Sequence, residues 1–199
     1  MRTAIILCGG RSARFGSDKA MLTIDGVPMI RRVIQRVSPV VDEIIIAARD
    51  PAQGRCIIEA IPDDLTVVYD SVVGYGPIAG ILAGLLASKS EYSVCLACDL
   101  PYANPEVINA LFGCAEERGG DAAVPMHPNG MLETLHAVYG RPMIPACQNV
   151  TESGERTVRS AISLLSRAVF VPTELLRRFD PDLLTFLNVN YPEDLGKVV

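Results

Sequence analysis

A short loop near the start of the chain combines paired glycines with positively charged side chains. It follows the apolar run from Thr3 to Leu7 and extends to Lys19. Glycine lets a backbone approach a ligand closely because it has no side chain and tolerates positive φ, and converging main-chain N–H groups bind anions. Arg11, Arg14 and Lys19 add the positive charge that a polyphosphate requires. The loop is therefore typical of a phosphate-binding site, and a turn that is basic by chance is the alternative.

The loop differs from the two best-known glycine-rich nucleotide motifs. A Walker loop has Gly-Lys-Ser/Thr at the start of a helix, whereas Lys19 leads into a short strand that ends in an Asp25-Gly26 turn. A dinucleotide fingerprint places its third glycine on a helix, but the next helix is predicted to begin near Pro28. An NAD-dependent oxidoreductase is therefore the weakest functional alternative.

Alternating strands and helices are predicted to position this loop. Apolar strands without alternation, separated by helices, indicate a parallel sheet covered on both faces. The sequence predicts a single three-layer α/β domain over residues 1–199, with a mostly parallel sheet. The expected strands cover 3–7, 43–48, 65–69, 92–98, 121–125, 133–139 (more polar, and a candidate antiparallel strand) and 168–171, and the expected helices cover 28–37, 53–60, 76–87, 104–117, 142–149 and 155–163.

Two aspartates stand where predicted strands end. Ligands of such sheets bind beyond the carboxyl ends of the strands, so the loops after Leu7, Ala48, Tyr69 and Cys98 should share one rim. Asp99 follows one of these strands, and a carboxylate beside a triphosphate is a natural Mg²⁺ ligand; a role as a loop or helix-capping residue is the alternative. Asp70 follows another strand and precedes the small residues at positions 76–80, where a nucleotide or a similar ligand could approach closely.

The pattern Leu-x-Gly-Gly-x-Ser-x-Arg-x-Gly-x-Asp-Lys, from Leu7 to Lys19, resembles the signature of the molybdenum cofactor guanylyltransferases and their nucleotidyltransferase relatives. Cys8 and Phe15 stand where Ala and Met are expected. The segments 76–80, 97–101, 135–139 and 186–194 resemble further motifs of that family. The resemblance spans nearly the whole chain and implies a Rossmann-like nucleotidyltransferase fold.

The resemblance implies Mg²⁺-dependent transfer of GMP from GTP to the phosphate of molybdopterin, with release of pyrophosphate. Arg14 and Lys19 would neutralise charge, and Asp99 would hold the metal as the third catalytic residue. Proteins that insert molybdenum or accept the cofactor are candidate partners. The nucleotide-binding residues would be Leu7, Cys8, Gly9, Gly10, Lys19, Asp70 and Asp99, with Ser12, Gly76, Pro77, Gly80, Asn188 and Asn190 in a second rank.

One departure from the family pattern concerns the base of the nucleotide. The family carries an asparagine after the second long strand, whereas this chain has Ala48, which offers no side-chain hydrogen bond. A sister nucleotidyltransferase that uses CTP on molybdopterin, or an NTP on another phosphorylated metabolite, is therefore an alternative. A nucleotide-binding module without turnover is a further one, although a pure binder has less need of both Lys19 and Asp99.

The composition bounds the remaining roles. A net charge of −5 argues against nucleic-acid binding, which requires a basic face. We expect no membrane span and no signal peptide, and therefore a cytoplasmic protein. The six cysteines, including Cys95 and Cys98, are expected to be free and mostly buried thiols. His127 and His136 lie too far from each other and from acidic clusters to indicate a metal pair, and His136 is expected to be structural.

Overall fold

The fold places every strand end that the sequence singles out on one edge of a single mixed sheet. The structure is a computed structural model of the chain, and it describes residues 1–9, 19–61, 65–69 and 75–189. The strands are β1 (Arg2–Leu7), β2 (Thr23–Ile24), β3 (Val27–Pro28), β4 (Glu43–Ala48), β5 (Thr66–Tyr69), β6 (Tyr92–Ala97), β7 (Ala122–Met126), β8 (His136–Gly140) and β9 (Ala168–Pro172). The helices are α1 (Met29–Val37), α2 (Pro51–Ala60), α3 (Pro77–Ala87), α4 (Pro105–Arg118), α5 (Met143–Glu152), α6 (Val158–Ser163) and α7 (Thr173–Leu176).

Within these ranges the main sheet has seven strands in the order β5-β4-β1-β6-β8-β7-β9. All neighbours pair in parallel except β8, which is antiparallel to both β6 and β7. The chain leaves β1 on one side to form β4 and β5, and it returns through α3 to form β6 on the other side of β1. Because the strand order reverses at β1, the crevice between the ends of β1 and β6 is the expected ligand site.

Alternate residues of β1 enter two separate cores. Ala4 and Ile6 face a cluster that includes residues of α1, α2 and α4, while Ile5 and Leu7 face a cluster that includes residues of α3, α5 and α6. This period of two explains why the strand is apolar throughout, since both of its faces are buried. The three-layer α/β domain predicted from the sequence is confirmed.

The helix and strand boundaries differ from the predictions mainly at the ends. The bounds of β4 match the prediction, whereas α2 begins two residues earlier, at Pro51, because Asp50 caps it by accepting a hydrogen bond from the Gln53 backbone. The predicted turn at Asp25 and Gly26 joins β2 to β3, and both turn residues have positive φ. The sequence analysis missed α7, a four-residue helix, which is too short to have a helical repeat.

All six cysteines are free thiols, and Cys8, Cys95, Cys98 and Cys147 are buried. Burial raises the pKa of the Cys147 thiol to about 12 and holds the pKa of Cys95 well above its ordinary value. The Cys95 and Cys147 thiols therefore stay protonated and act as small apolar groups of the core. Over the described residues, none of the helices combines the length and the apolar character that crossing a bilayer requires.

Close packing of α3 on β1 depends on Gly84. A Cβ atom at this position would collide with the side chain of Ile5, which is fully buried. We expect Gly84→Ala to lower the free energy of unfolding by about 2 kcal/mol, because overpacking a core forces side chains and backbone to move. The matched control is Gly113→Ala in α4, where a Cβ meets no atom within 4 Å; this variant should gain up to about 1 kcal/mol from helix propensity. Urea unfolding measures both, and equal effects would contradict the packing argument.

His136 gives the stability of the protein a specific pH dependence. The imidazole is almost fully buried in β8, and burial lowers its pKa to about 3. Between about pH 6.5 and pH 3 the unfolded chain therefore binds a proton that the folded chain refuses, so this contribution to stability is lost as the pH falls. We expect His136→Gln, which does not titrate, to lose about 2 kcal/mol less than the wild type between pH 7 and pH 5 in urea unfolding. Parallel losses would show that His136 does not titrate on unfolding.

Candidate active site

The site is built around an ion pair between the end of β6 and the short turn that precedes β2. The Nζ atom of Lys19 lies 2.5 Å from Oδ2 of Asp99. Asp99 comes two residues after β6, and Lys19 opens a short 3₁₀ turn that ends at Met21. The two side chains are 20% and 17% exposed, so water screens their attraction less than that of a surface pair. Two of the three predicted catalytic residues therefore meet at the crevice between β1 and β6.

The second carboxylate oxygen of Asp99 fits the proposed metal role. Its Oδ1 atom is buried and has no hydrogen-bond partner among the residues that the structure describes. A buried acceptor without a partner costs free energy, and a carboxylate oxygen is a ligand that Mg²⁺ prefers. The described ranges contain no cluster of three or more metal-ligating side chains. Asp99 would thus act as one protein ligand of a cation that takes its other ligands from phosphate and water.

A cavity of about 210 Å³ opens beside Asp99. It lies between the end of β6 and the segment that leads into β8, where the Ala97 N–H donates to the Leu135 carbonyl. Its walls combine apolar side chains with two carboxylates, a hydroxyl and an amide, which suits a ligand with both apolar surface and polar edges. The lining residues are Ala97, Asp99, Leu100, Leu132, Glu133, Thr134, Leu135 and Asn188.

Asn188 reaches this cavity because its neighbour Val189 connects two parts of the site. The Val189 N–H donates to the Asp99 carbonyl over 3.0 Å. The Val189 side chain, 1% exposed, packs with Ile24 and Met29 of the hairpin region that follows Lys19. A residue near the end of the described chain therefore fixes both elements that carry the ion pair.

Glu133 lines the cavity and was missed by the sequence analysis. Its Oε1 lies 2.7 Å from His127 Nε2, across a turn closed by a bridge between Met126 and Leu132. His136 also lies near this pair, because both histidine rings contact the edge or face of Phe186, at centroid distances of 5.8 and 5.0 Å. The sequence analysis placed the histidines too far from acidic clusters to indicate a metal pair; the structure adds that His127 contacts one acidic side chain, Glu133, and that Phe186, fifty or more residues away in sequence, packs against both rings. His136 is structural, as expected.

Part of the predicted phosphate-binding loop is described. Leu7 and Cys8 are buried; the Leu7 carbonyl accepts from the Cys98 N–H over 3.1 Å, and the Cys8 N–H donates to the Ala47 carbonyl over 2.9 Å. Gly9 follows at the rim and is half-buried. The remaining predicted residues that lie outside the described ranges are Gly10, Arg11, Ser12, Arg14, Asp70 and Asn190.

The small residues before α3 lie on the same edge of the sheet. Gly76 has a φ of +68°, which only glycine adopts without strain, and it precedes Pro77 at the first position of α3. Gly80 is buried on the inner face of the helix. The predicted shared rim is therefore confirmed for the β1, β4, β5 and β6 ends, as far as the chain is described.

Proteins of a known family are similar to this chain in sequence. The model of the family described as the MobA-like NTP transferase domain matches residues 4–168. A probable molybdenum cofactor guanylyltransferase from Methanosarcina mazei is 38% identical, over 100% of this chain and 90% of that protein. A molybdenum cofactor guanylyltransferase from Desulfosudis oleivorans is 34% identical, over 98% and 93% of the two chains.

The fold is also similar to that of a solved relative. The crystal structure of molybdopterin-guanine dinucleotide biosynthesis protein A from Archaeoglobus fulgidus matches with a TM-score of 0.84 and 30% identity, over 99% of this chain and 96% of that one. The family model and the full-length relatives confirm the resemblance that the motifs predicted. The chain therefore belongs to the MobA-like NTP transferase family and is a nucleotidyltransferase.

Proposed function

We propose that this enzyme transfers GMP from GTP to the phosphate of molybdopterin, releasing pyrophosphate and forming the guanine dinucleotide cofactor. The observation that carries the proposal is the Lys19–Asp99 pair at the β1–β6 crevice, beside a cavity with room for part of an acceptor. The names of the relatives from Methanosarcina mazei and Desulfosudis oleivorans support the choice of guanylyl transfer and of the molybdenum cofactor.

The reaction requires the protein mainly to position the two substrates and to neutralise the charge of their phosphates. The acceptor phosphate is already an anionic nucleophile, so no strong base is needed to activate it. The backbone of Leu7, Cys8, Gly9 and Gly10 would hold the nucleotide at the end of β1. Lys19, together with Arg14, would balance the charge that develops on the α-phosphate and on the departing pyrophosphate.

Asp99 would hold Mg²⁺ through its buried Oδ1, the oxygen that has no partner in the described part of the chain. The metal would supply charge neutralisation between the phosphate groups of the two anionic substrates. Lys19 keeps the other oxygen of Asp99 in place through its ammonium group. Asp70 would contact the nucleotide or the metal-bound water, and Asn188 and Asn190 would contact the substrate phosphates near Asp99.

The second candidate is a sister enzyme that transfers a different nucleotide. Ala48 supports this second candidate, because the residue is fully buried in the core and presents no polar side chain at the end of β4. Guanine recognition would then depend on backbone groups of the neighbouring loops. A nucleotide-binding module without turnover is a weaker candidate, since binding alone does not require the Lys19–Asp99 pair.

Incubation of the full-length protein with molybdopterin and each of GTP, CTP, ATP and UTP tests the proposal directly. We expect pyrophosphate release and a guanine dinucleotide product with GTP and Mg²⁺, and at least about tenfold lower kcat/KM with the other nucleotides, which is a difference of about 1.4 kcal/mol in transition-state binding. A chain that prefers CTP would support the sister enzyme. Nucleotide binding without pyrophosphate release would support the non-catalytic module.

Variants of the ion pair test the roles of its two members. We expect Lys19→Ala and Asp99→Asn each to lower kcat/KM for guanylyl transfer by at least about 100-fold, because the first removes a positive charge that faces the reacting phosphates and the second removes the carboxylate that would hold Mg²⁺. The control is Glu116→Gln, which breaks a 2.7 Å ion pair with Arg2 at the amino end of β1, at the opposite edge of the sheet. That variant should keep wild-type turnover. Circular dichroism verifies that each variant folds, and near wild-type turnover of either site variant would refute its assigned role.

A further inference from the structure

The Gln53 side chain separates the ends of β1 and β4, which would otherwise continue to pair at the rim of the sheet. It is the third residue of α2, and its side chain is 3% exposed. Its Nε2 donates to the Cys8 carbonyl over 2.8 Å, and its Oε1 accepts from the Arg49 N–H over 2.7 Å. Cys8 follows β1 and Arg49 follows β4, so a single buried amide bridges two adjacent strand ends.

The Gln53 amide takes the place of one backbone hydrogen bond in the ladder between β1 and β4. Strands β1 and β4 pair in parallel up to Leu7 opposite Ala47, and the Cys8 N–H then donates to the Ala47 carbonyl. In a parallel ladder the next bond would run from the Arg49 N–H to the Cys8 carbonyl. These are the two groups that Gln53 binds instead. One backbone bond is thus replaced by two bonds through an inserted amide, which separates the strands while both backbone groups keep a partner.

Neighbouring contacts keep the inserted amide in place. The Gln53 backbone N–H donates to Oδ1 of Asp50, which caps α2, and this bond lowers the pKa of the Asp50 carboxyl. Pro51 begins the helix. The backbone of Gln53 is therefore anchored independently of its side chain, so the side chain has a fixed origin from which to reach Cys8.

We propose that Gln53 is a positioning residue that sets the separation of the ends of β1 and β4, at Cys8 and Arg49, and with it the opening of the nucleotide cleft. The inference rests on the proposed function, because it takes the end of β1, at Leu7, Cys8 and Gly9, as part of the nucleotide-binding site. Ala48 carries no polar side chain, so base recognition on this side depends on the placement of the backbone at the two strand ends, and the Gln53 amide sets the separation of those ends. Removal of the amide lets the Arg49 N–H and the Cys8 carbonyl pair directly and narrows the cleft.

Two variants separate this role from simple helix capping. Gln53→Ala removes the amide and allows the strands to pair, whereas Gln53→Glu keeps an acceptor for Arg49 but places a carboxylate beside the Cys8 carbonyl. The control is Thr3→Val, which removes buried hydroxyl contacts to Glu43 and Ser90 at the other end of β1. The readouts are the Kd of GTP by calorimetry, KM and kcat of transfer, and Tm, all on the full-length chain.

We expect both Gln53 variants to weaken GTP binding by about tenfold or more, because the ends of β1 and β4 lose the separation that the nucleotide requires, and to reduce the preference for GTP over other nucleotides. Their kcat at saturating GTP should stay within about threefold of the wild type, because Lys19 and Asp99 are untouched. Thr3→Val should lower Tm and leave GTP affinity unchanged. Lower Tm with unchanged GTP affinity in the Gln53 variants would overturn the proposal and leave Gln53 as a capping residue.

The same measurements distinguish this inference from the proposed function. If the wild type binds CTP in place of GTP, guanylyl transfer is refuted, and the comparison is made with CTP, where the same loss of affinity supports the role of Gln53. If the wild type binds no nucleoside triphosphate, both proposals fail. If Gln53→Ala does not fold, Gln53→Glu alone decides the outcome.

Discussion

The structure depends on the burial of β1 between two parallel neighbours. Its side chains enter two cores, and its backbone pairs with β4 on one side and with β6 on the other. A strand satisfied in this way has no free polar group along its length. Its backbone groups stay paired through Cys8, whose N–H binds the Ala47 carbonyl and whose carbonyl accepts from Gln53. The position of the site follows from this, because ligand-binding groups can come only from the strand ends and the loops that leave them.

At the end of β1, the side that faces β6 and the side that faces β4 have different roles. Towards β6 the backbone continues tightly, with the Cys98 N–H bound to the Leu7 carbonyl, and the side chains that emerge are charged. Lys19 and Asp99 belong to separate elements, and their charged groups lie 2.5 Å apart, so each side chain holds the other in place. Val189 adds to that support, since it packs under one element and binds the backbone of the other. The result is a preorganised charged pair whose formation does not wait for substrate.

The sequence predicted the elements well where local pattern controls them. The bounds of β4 follow from a continuous apolar run, and the antiparallel β8 follows from its more polar pattern. The position of Asp99 at the rim was also predictable, because parallel strand ends meet at one edge, whereas its contact with Lys19 depends on how the turn at residues 19–21 packs against the end of β6. The pairing of Glu133 with His127 and the stacking on Phe186 were not, since they depend on how a turn and a distant segment pack together. The role of Gln53 was hidden for the same reason: its partner Cys8 is 45 residues away, and its spacing from Asp50 is that of an ordinary helix cap.

The departure at position 48 therefore has a structural counterpart on the next element. A small, fully buried residue ends β4, and the Gln53 amide lies next to it in the ladder, between Cys8 and Arg49. An amide on a helix is less free than one on a loop, because the capped first turn of α2 holds its origin. Lys19 and Asp99 thus set the charge on the β6 side of the site, and Gln53 sets the separation of β1 and β4 on the other side. Because these two groups of residues share only β1 as a neighbour, base preference can change through α2 while the charged pair proposed for phosphate chemistry stays intact.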